Sequence, residues 1–233
     1  MTQMCDVDRA CSSGDSESGF DCDTFAVAVD VETTGCFIGG GSAVVAIGAA
    51  IINVTRVRTV ETRRWTFDVS TATWEPRCIE QFWSKFPQQL KDLTTDLSTR
   101  VTPSEFVGQW STWLSTFAAR LTAAGNPSDV PLWSDFPHFD LAWLSLQLVQ
   151  GGGMPLYYPG WKGWQSSVDI DAFVDGMREC MPSSSMCTSP KLPLDTIITE
   201  AKELFPDGNH YPEKDAECMG LRFAYLLSKI RSL

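Results

Sequence analysis

Residues 26–35 read AVAVDVETTG, an apolar stretch that ends in two acids one residue apart. The stretch Phe25 to Val31 has the composition of a buried strand, and side chains alternate along a strand. Asp30 and Glu32 therefore emerge on one face, side by side. Two carboxylates so placed repel each other and are costly at the edge of a core, unless a cation lies between them. Hard oxygen donors of this kind suit magnesium or manganese. The chain must therefore fold so that a buried strand ends at an acidic, cation-accepting edge.

The 233 residues suffice for one α/β domain, and 43% apolar with 20% charged content is that of a globular protein. Net charge is −11, which taken alone argues against a nucleic-acid binder with a basic face. The charge is uneven, however. Asp6, Asp8, Asp15, Glu17, Asp21 and Asp23 stand against Arg9 in the first 24 residues. Residues 1–23, rich in Ser, Asp and Gly, read as a disordered acidic leader, and 24–233 as the folded domain. The eight cysteines show no C-x-x-C pair and no zinc spacing, so they read as free thiols, with a Cys180–Cys187 loop as the alternative. No apolar leader or membrane-length segment is present, and the expectation is a soluble intracellular protein (cytoplasm or nucleus) that does not engage a membrane.

After the first strand, Gly39-Gly40-Gly41 reads as a flexible connection and matches no phosphate-loop pattern. Ala43 to Asn53 and Arg58 to Phe67 form the arms of a hairpin turning at Val54–Val57. Glu80 to Leu97 reads as helical, interrupted near Pro87. From Pro103, the positions of Phe106, Val107, Trp110, Trp113, Leu114, Phe117 and Leu121 mark one apolar helical face, read as core. Val130 to Ser134 is a short buried strand and Phe139 to Val149 the next helix. An aromatic loop with Tyr157, Tyr158, Trp161 and Trp164 follows. Then come a helix from Val168 to Met181, a linker over 182–191, and helices over Leu194–Leu204 and Pro212–Ile230. Strands first, then alternating helix and strand, predict an α/β fold with a mixed sheet flanked by helices.

Three further residues carry chemistry. Asp140 opens an apolar helix, a place where aspartate is often only a first-turn residue. Asp215 lies early in the last helix, and His210 precedes it by five positions.

Taken in order, Asp30-x-Glu32-Thr33-Thr34-Gly35, then Phe139-Asp140, then His210-x-x-x-x-Asp215 resemble the motifs of the DEDD superfamily of 3′–5′ exonucleases, whose fold is ribonuclease H-like. The motifs span nearly the whole chain after the leader. Locally, Trp133-Ser134-Asp135 resembles the Trp-Gly-Asn lead-in of a mycobacterial-type and viral-type exoribonuclease branch, with Ser134 for Gly and Asp135 for Asn. Glu80-Gln81-Phe82-Trp83 resembles that branch's Trp-containing segment. The resemblance implies two Mg2+ or Mn2+ ions held by Asp30, Glu32, Asp140 and Asp215, one lowering the pKa of an attacking water and the other stabilising the leaving 3′ oxygen.

Either His210 or Tyr211 fits the spacing of the general base, in the DEDDh or the DEDDy pattern. Pro212 is tolerated only in a first helical turn, and Gly208-Asn209 blocks a helix upstream. The DEDDy tyrosine lies inside a continuing helix, so the reading favours His210, whose ordinary pKa of about 6.5 suits a base at neutral pH. Tyr211 stands as the second choice. Pro212-Glu213-Lys214 takes the place of the Ala-Leu usual between the two DEDDh residues.

The implied substrate is the 3′ end of single-stranded RNA or DNA. Backbone groups of Thr33, Thr34 and Gly35 are expected near the terminal sugar, and Phe37 and Phe136 as stacking surfaces. Trp161, Lys162 and Trp164 suit a single strand too, and Arg63, Arg64, Arg77 and Lys85 are candidate phosphate contacts. Two other readings compete: an inactive exonuclease-fold module that binds nucleic acid or scaffolds an assembly, and a ribonuclease H-type endonuclease.

Overall fold

Strand β1 (Phe25–Thr33) runs two residues past Val31, so Asp30, Glu32 and Thr33 all lie within it. The computed structural model describes residues 23–38, 40–126, 130–156, 167–180 and 194–231. Most of the acidic leader, the aromatic loop at 157–164 and the linker at 182–191 fall outside them. Asp23, counted with the leader, accepts hydrogen bonds from Asn53 and Arg56 at 3.0 and 3.1 Å.

The expected hairpin is β2 (Val44–Asn53) and β3 (Arg58–Thr66), antiparallel to each other. Asn53 Oδ1 accepts the Arg56 amide in the turn, and Val57 takes a left-handed φ of 48°. Every residue of β2 is buried, as a continuous apolar run predicts for a strand covered on both faces. β1 pairs antiparallel with β2, placing Asp30 opposite Gly48 and Glu32 opposite Ala46. On its other side β1 pairs in parallel with β4 (Leu132–Ser134), which pairs in parallel with β5 (Ser167–Asp169). The sheet order is β3-β2-β1-β4-β5.

Between β3 and β4 lie α1 (Pro76–Gln81), a 3-10 turn at Trp83–Lys85, α2 (Pro87–Thr95) and α3 (Pro103–Ala123). The helical region expected from Glu80 thus starts at Pro76 and is cut into three pieces. Pro76 and Pro87 each open a helix, because proline lacks the amide that a helix interior needs. Thr102 and Glu105 cap α3 reciprocally through each other's backbone amides. Its buried stripe packs on the sheet, with Trp65 edge-on to Phe106 and Trp110 at 5.3 and 5.7 Å.

Helix α4 (Pro137–Gln150) follows β4 and starts two residues before Phe139, again at a proline. The helix expected over Val168–Met181 is shorter. Val168 and Asp169 belong to β5, and α5 spans Ile170–Cys180 with Asp169 Oδ1 accepting the Ala172 amide at 2.8 Å. A three-residue strand is below the length at which period-2 patterning can be told from the first turn of a helix. Helices α6 (Leu194–Leu204) and α7 (Pro212–Arg231) complete the fold.

Strand alternation divides the core. Val27, Val29 and Val31 face α3 and α4, whereas Ala26 and Ala28 face Ala216, Met219 and Phe223 of α7. Asp30 and Glu32 continue the second series and so emerge beneath the start of α7. Among the described residues no helix is long and apolar enough to cross a membrane.

Candidate active site

At the carboxyl end of β1 a cleft of about 480 Å³ is lined by Asp30, Glu32, Thr33, Phe37, Phe136, Asp140 and His210, together with Glu75, Arg77, Phe82, Phe139 and Asp135. Four distant parts of the chain meet there, residues 30–37, 75–82, 135–140 and His210.

Asp140 arrives because β4 ends at Ser134, leaving the last amides of β1 without a strand partner on that side. The Asp140 carboxylate accepts the Val31 amide, and Oδ2 accepts the Ser134 hydroxyl at 2.5 Å. Ser134 Oγ in turn accepts the Phe136 amide, which turns the chain into α4. Asp140 therefore sits in the first turn of its helix, yet its bonds run to β1 and β4. It is only 3% exposed, and burial pushes its carboxyl up to about 8.

Asp215 arrives because α7 lies close on the sheet. A side chain at Gly48 would occupy the space of the Pro212 and Glu213 backbone, so only glycine opposite Asp30 lets the helix start there. The connection before α7 folds back on it, and the Gly208 amide donates to Asp215 Oδ1 at 2.8 Å. Glu32, His210 and Asp215 each offer a ligand atom within 4.8 Å of one another.

The electrostatics follow. Burial raises Asp30 well above the usual carboxylate range, and Glu32, Asp140, Asp215 and Asp135 add to it by repulsion. Glu32 is raised by burial against the opposing pull of His210, and Asp215 is raised by burial against the Gly208 amide and His210. Asp30 Oδ2 and Asp215 Oδ2 are buried without a hydrogen-bond partner. Orphaned carboxylate oxygens in a cluster of acids are the environment a hard divalent cation satisfies, so the residues fit such ions.

His210 has its Nδ1 3.4 Å from Glu32 Oε1, and Glu32 raises its pKa above the ordinary imidazole value. Tyr211, the second choice for a base, is not brought into the cleft. Its hydroxyl donates to Asp92 Oδ2 at 2.6 Å, and that bond raises its pKa further.

The expected substrate contacts divide. Thr33 lines the cleft, and Phe37 and Phe136 stand at its mouth, 74% and 61% exposed. Thr34 and Gly35 are buried and are not among the residues lining the cleft. The Thr34 hydroxyl donates to Thr73 O and accepts the Ala43 amide, while its own backbone bonds Ala43 and Glu75. Gly35 faces Ser42 and Glu75. Arg63 and Arg64 are engaged by Glu61, Asp96 and Glu213, whereas Arg77 lines the cleft. The sequence reading gave no site role to Glu75, Phe82, Ser134 or Asp135. The Trp133-Ser134-Asp135 and Phe82-Trp83 resemblances were the available signal for three of them. Nothing marked Glu75, whose carboxylate accepts the Cys36 amide at 2.8 Å. Among the described residues Cys36, Cys78 and Cys218 are free thiols, and Cys187 of the Cys180–Cys187 alternative falls outside them.

No protein-family model matches the sequence, and no curated protein matches it significantly. Solved structures do share its fold. The nuclease domain of 3'hExo, a DEDDh family member bound to rAMP, superposes with a TM-score of 0.52 at 14% identity, over 91% of this chain and 94% of that one. S. pombe Pop2p in its Mg2+- and Mn2+-bound form gives 0.51 at 16%, over 89% and 82%. E. coli exonuclease I in complex with a dT13 oligonucleotide gives 0.52 at 13%, over 89% and 40%. The chain spans about two-fifths of the exonuclease I chains it matches. The likeness is one of fold: the mixed sheet and flanking helices are those of the ribonuclease H-like exonucleases.

Proposed function

We propose that this chain is a metal-dependent 3′–5′ exonuclease of the DEDDh class that trims single-stranded RNA or DNA to nucleoside monophosphates. The assignment to the mycobacterial and viral exoribonuclease branch is part of the same proposal and rests on Trp133 to Asp135 and Phe82-Trp83. The observation that supports the reading is that Glu32, Asp140 and Asp215, from three separated segments, all lie close enough to repel Asp30, with His210 beside Glu32 and Asp215. A scaffold that merely kept the fold has no need to hold repelling carboxylates with orphaned oxygens.

Asp30, Glu32, Asp140 and Asp215 would hold two Mg2+ or Mn2+ ions, which supply a more acidic water nucleophile and neutralise charge at the leaving 3′ oxygen. Ser134 and the Val31 amide orient Asp140, and the Gly208 amide orients Asp215. With Nδ1 directed at Glu32, His210 Nε2 is the ring nitrogen left to accept the water's proton. Phe37 and Phe136 offer faces to the last bases, and Arg77 brings a positive charge for a phosphate. A cleft of about 480 Å³ has room for a terminal nucleotide, a small contact that is compatible with the net charge of −11.

The test is incubation of 5′-labelled single-stranded RNA and DNA with Mg2+ or Mn2+, beside Asp30→Ala. Stepwise shortening that Asp30→Ala abolishes is expected. Internal cuts would instead indicate an endonuclease. No cleavage together with undetectable Mn2+ binding by calorimetry would leave an inactive module.

A further inference from the structure

We propose that Phe82, Phe86 and Tyr211 are positioning residues that set the His210 ring against Glu32; this rests on His210 being the base. The backbone at His210 does not hold itself in place. Asn209 and His210 both adopt left-handed φ, 57° and 60°, a conformation open to Asn and His but less favourable than the right-handed one, so contacts that hold the loop there count.

Those contacts come from one segment, residues 82–96. Its aromatic rings form a shelf under the imidazole: Phe86 at 4.0 Å between ring centroids, tilted by 55°, and Phe82 at 4.6 Å, edge-on at 79°. Ring contacts of this kind restrict both the location and the tilt of the plane they touch. One residue further on, the Tyr211 hydroxyl is bound to Asp92 of α2. Two beyond that, Glu213 meets Arg64 at 3.2 Å, and Arg64 also holds Asp96 at 2.7 Å, just past the end of α2. The base-bearing loop is thus gripped at the His210 ring and again just after it.

The same segment is fastened to the strand that carries Glu32. Trp83 Nε1 donates to Thr33 O at 3.0 Å, and Phe82 packs edge-on against Trp83 at 4.8 Å. A single stretch of chain therefore touches the residue after Glu32 and the ring of His210, and it fixes their separation. Phe86 and Tyr211 do not line the cleft. Both touch the base-bearing loop directly, Phe86 through the His210 ring and Tyr211 as the residue after it.

The test uses the full chain with Phe86→Leu, Phe86→Tyr and Tyr211→Phe beside His210→Ala. Because the chain has only two histidines, the His210 ring resonances are identified as those absent from His210→Ala. In the metal-free protein they should be displaced by the neighbouring rings, and Phe86→Leu should return them toward free-histidine positions. On a labelled single strand, Phe86→Leu should lower kcat by roughly ten- to a hundredfold, as expected for a misplaced catalytic group, with KM and Mn2+ affinity unchanged. Phe86→Tyr should restore most of the rate. Tyr211→Phe should lower kcat less and keep the pH profile.

Unmoved His210 resonances in Phe86→Leu would overturn the proposal. So would an unchanged kcat, or a fall in kcat matched by a loss of Mn2+ affinity. Abolition of the pH dependence by Tyr211→Phe, with turnover surviving His210→Ala, would reverse the roles of the two residues. A wild-type chain that trims nothing refutes the nuclease reading separately, and the resonance comparison then decides the shelf.

Discussion

Asp140→Asn in the metal-free protein measures what the cleft's charge does to stability. The Asp140 carboxyl is pushed up to about 8 by burial, and Asp30, Glu32 and Asp215 are raised as well, with burial the leading cause in each. A pKa raised in the folded state contributes stability that is complete below the unfolded value and is lost as pH climbs through the folded one. Without metal, the wild type should therefore weaken from about pH 4 to about pH 8. His210, also raised, acts in the same direction. Acids held low, such as Asp96 at about 2 through its bonds to Ser98, lose their contribution only as pH falls below the usual carboxylate range, outside this window. A proton held only by the folded state is worth roughly 1.4 kcal/mol per pH unit, so Asp140 alone accounts for about 5 kcal/mol across the window. Asparagine keeps the shape, offers an oxygen to the Val31 amide and cannot ionise. The variant should exceed the wild type by about 1–2 kcal/mol at pH 5 and by several kcal/mol at pH 8. The assay is urea denaturation at pH 5, 6.5 and 8, followed by tryptophan fluorescence, in EDTA and in Mn2+. Mn2+ should restore the wild type at pH 8 and do little for the variant. Parallel pH curves for the two proteins in EDTA would refute the reasoning.

Ser134→Ala removes the hydroxyl that orients Asp140 and should weaken Mn2+ binding by about 10- to 100-fold with little change in fold, read by calorimetry and circular dichroism. Gly48→Ala forces a methyl group into the backbone at the start of α7. It should cost about 1–3 kcal/mol and displace Asp215, so that urea denaturation and nuclease turnover fall together. Thr34→Val, which removes a buried hydroxyl used on Thr73 and Ala43, should lower stability by about 1–3 kcal/mol, with KM for a single strand unchanged. A raised KM would put Thr34 back among the substrate contacts.

Much of the fold is legible from local pattern. The apolar run of β2, the stripe from Phe106 to Leu121 and the prolines that open α3 and α7 announce themselves through burial periodicity and backbone restriction. The boundaries that shifted, at Pro76, Pro137 and Val168, are ones that a proline in the first helical turn and a three-residue pairing set, not hydrophobic period. Asp30 and Glu32 share a face by the arithmetic of the strand alone, so sequence determines that pair and the orbit of chemistry open to it. Sequence also determines the order in which Asp140, His210 and Asp215 follow. Their meeting is decided by tertiary structure: by a strand that stops at Ser134 and leaves an amide for Asp140, and by a glycine that lets α7 rest opposite Asp30. Tertiary structure likewise turned Tyr211 toward Asp92, buried Thr34 and Gly35, and put His210 on the rings of Phe82 and Phe86. Each of these depends on contacts between residues far apart in the chain, and periodicity and propensity report only on neighbours.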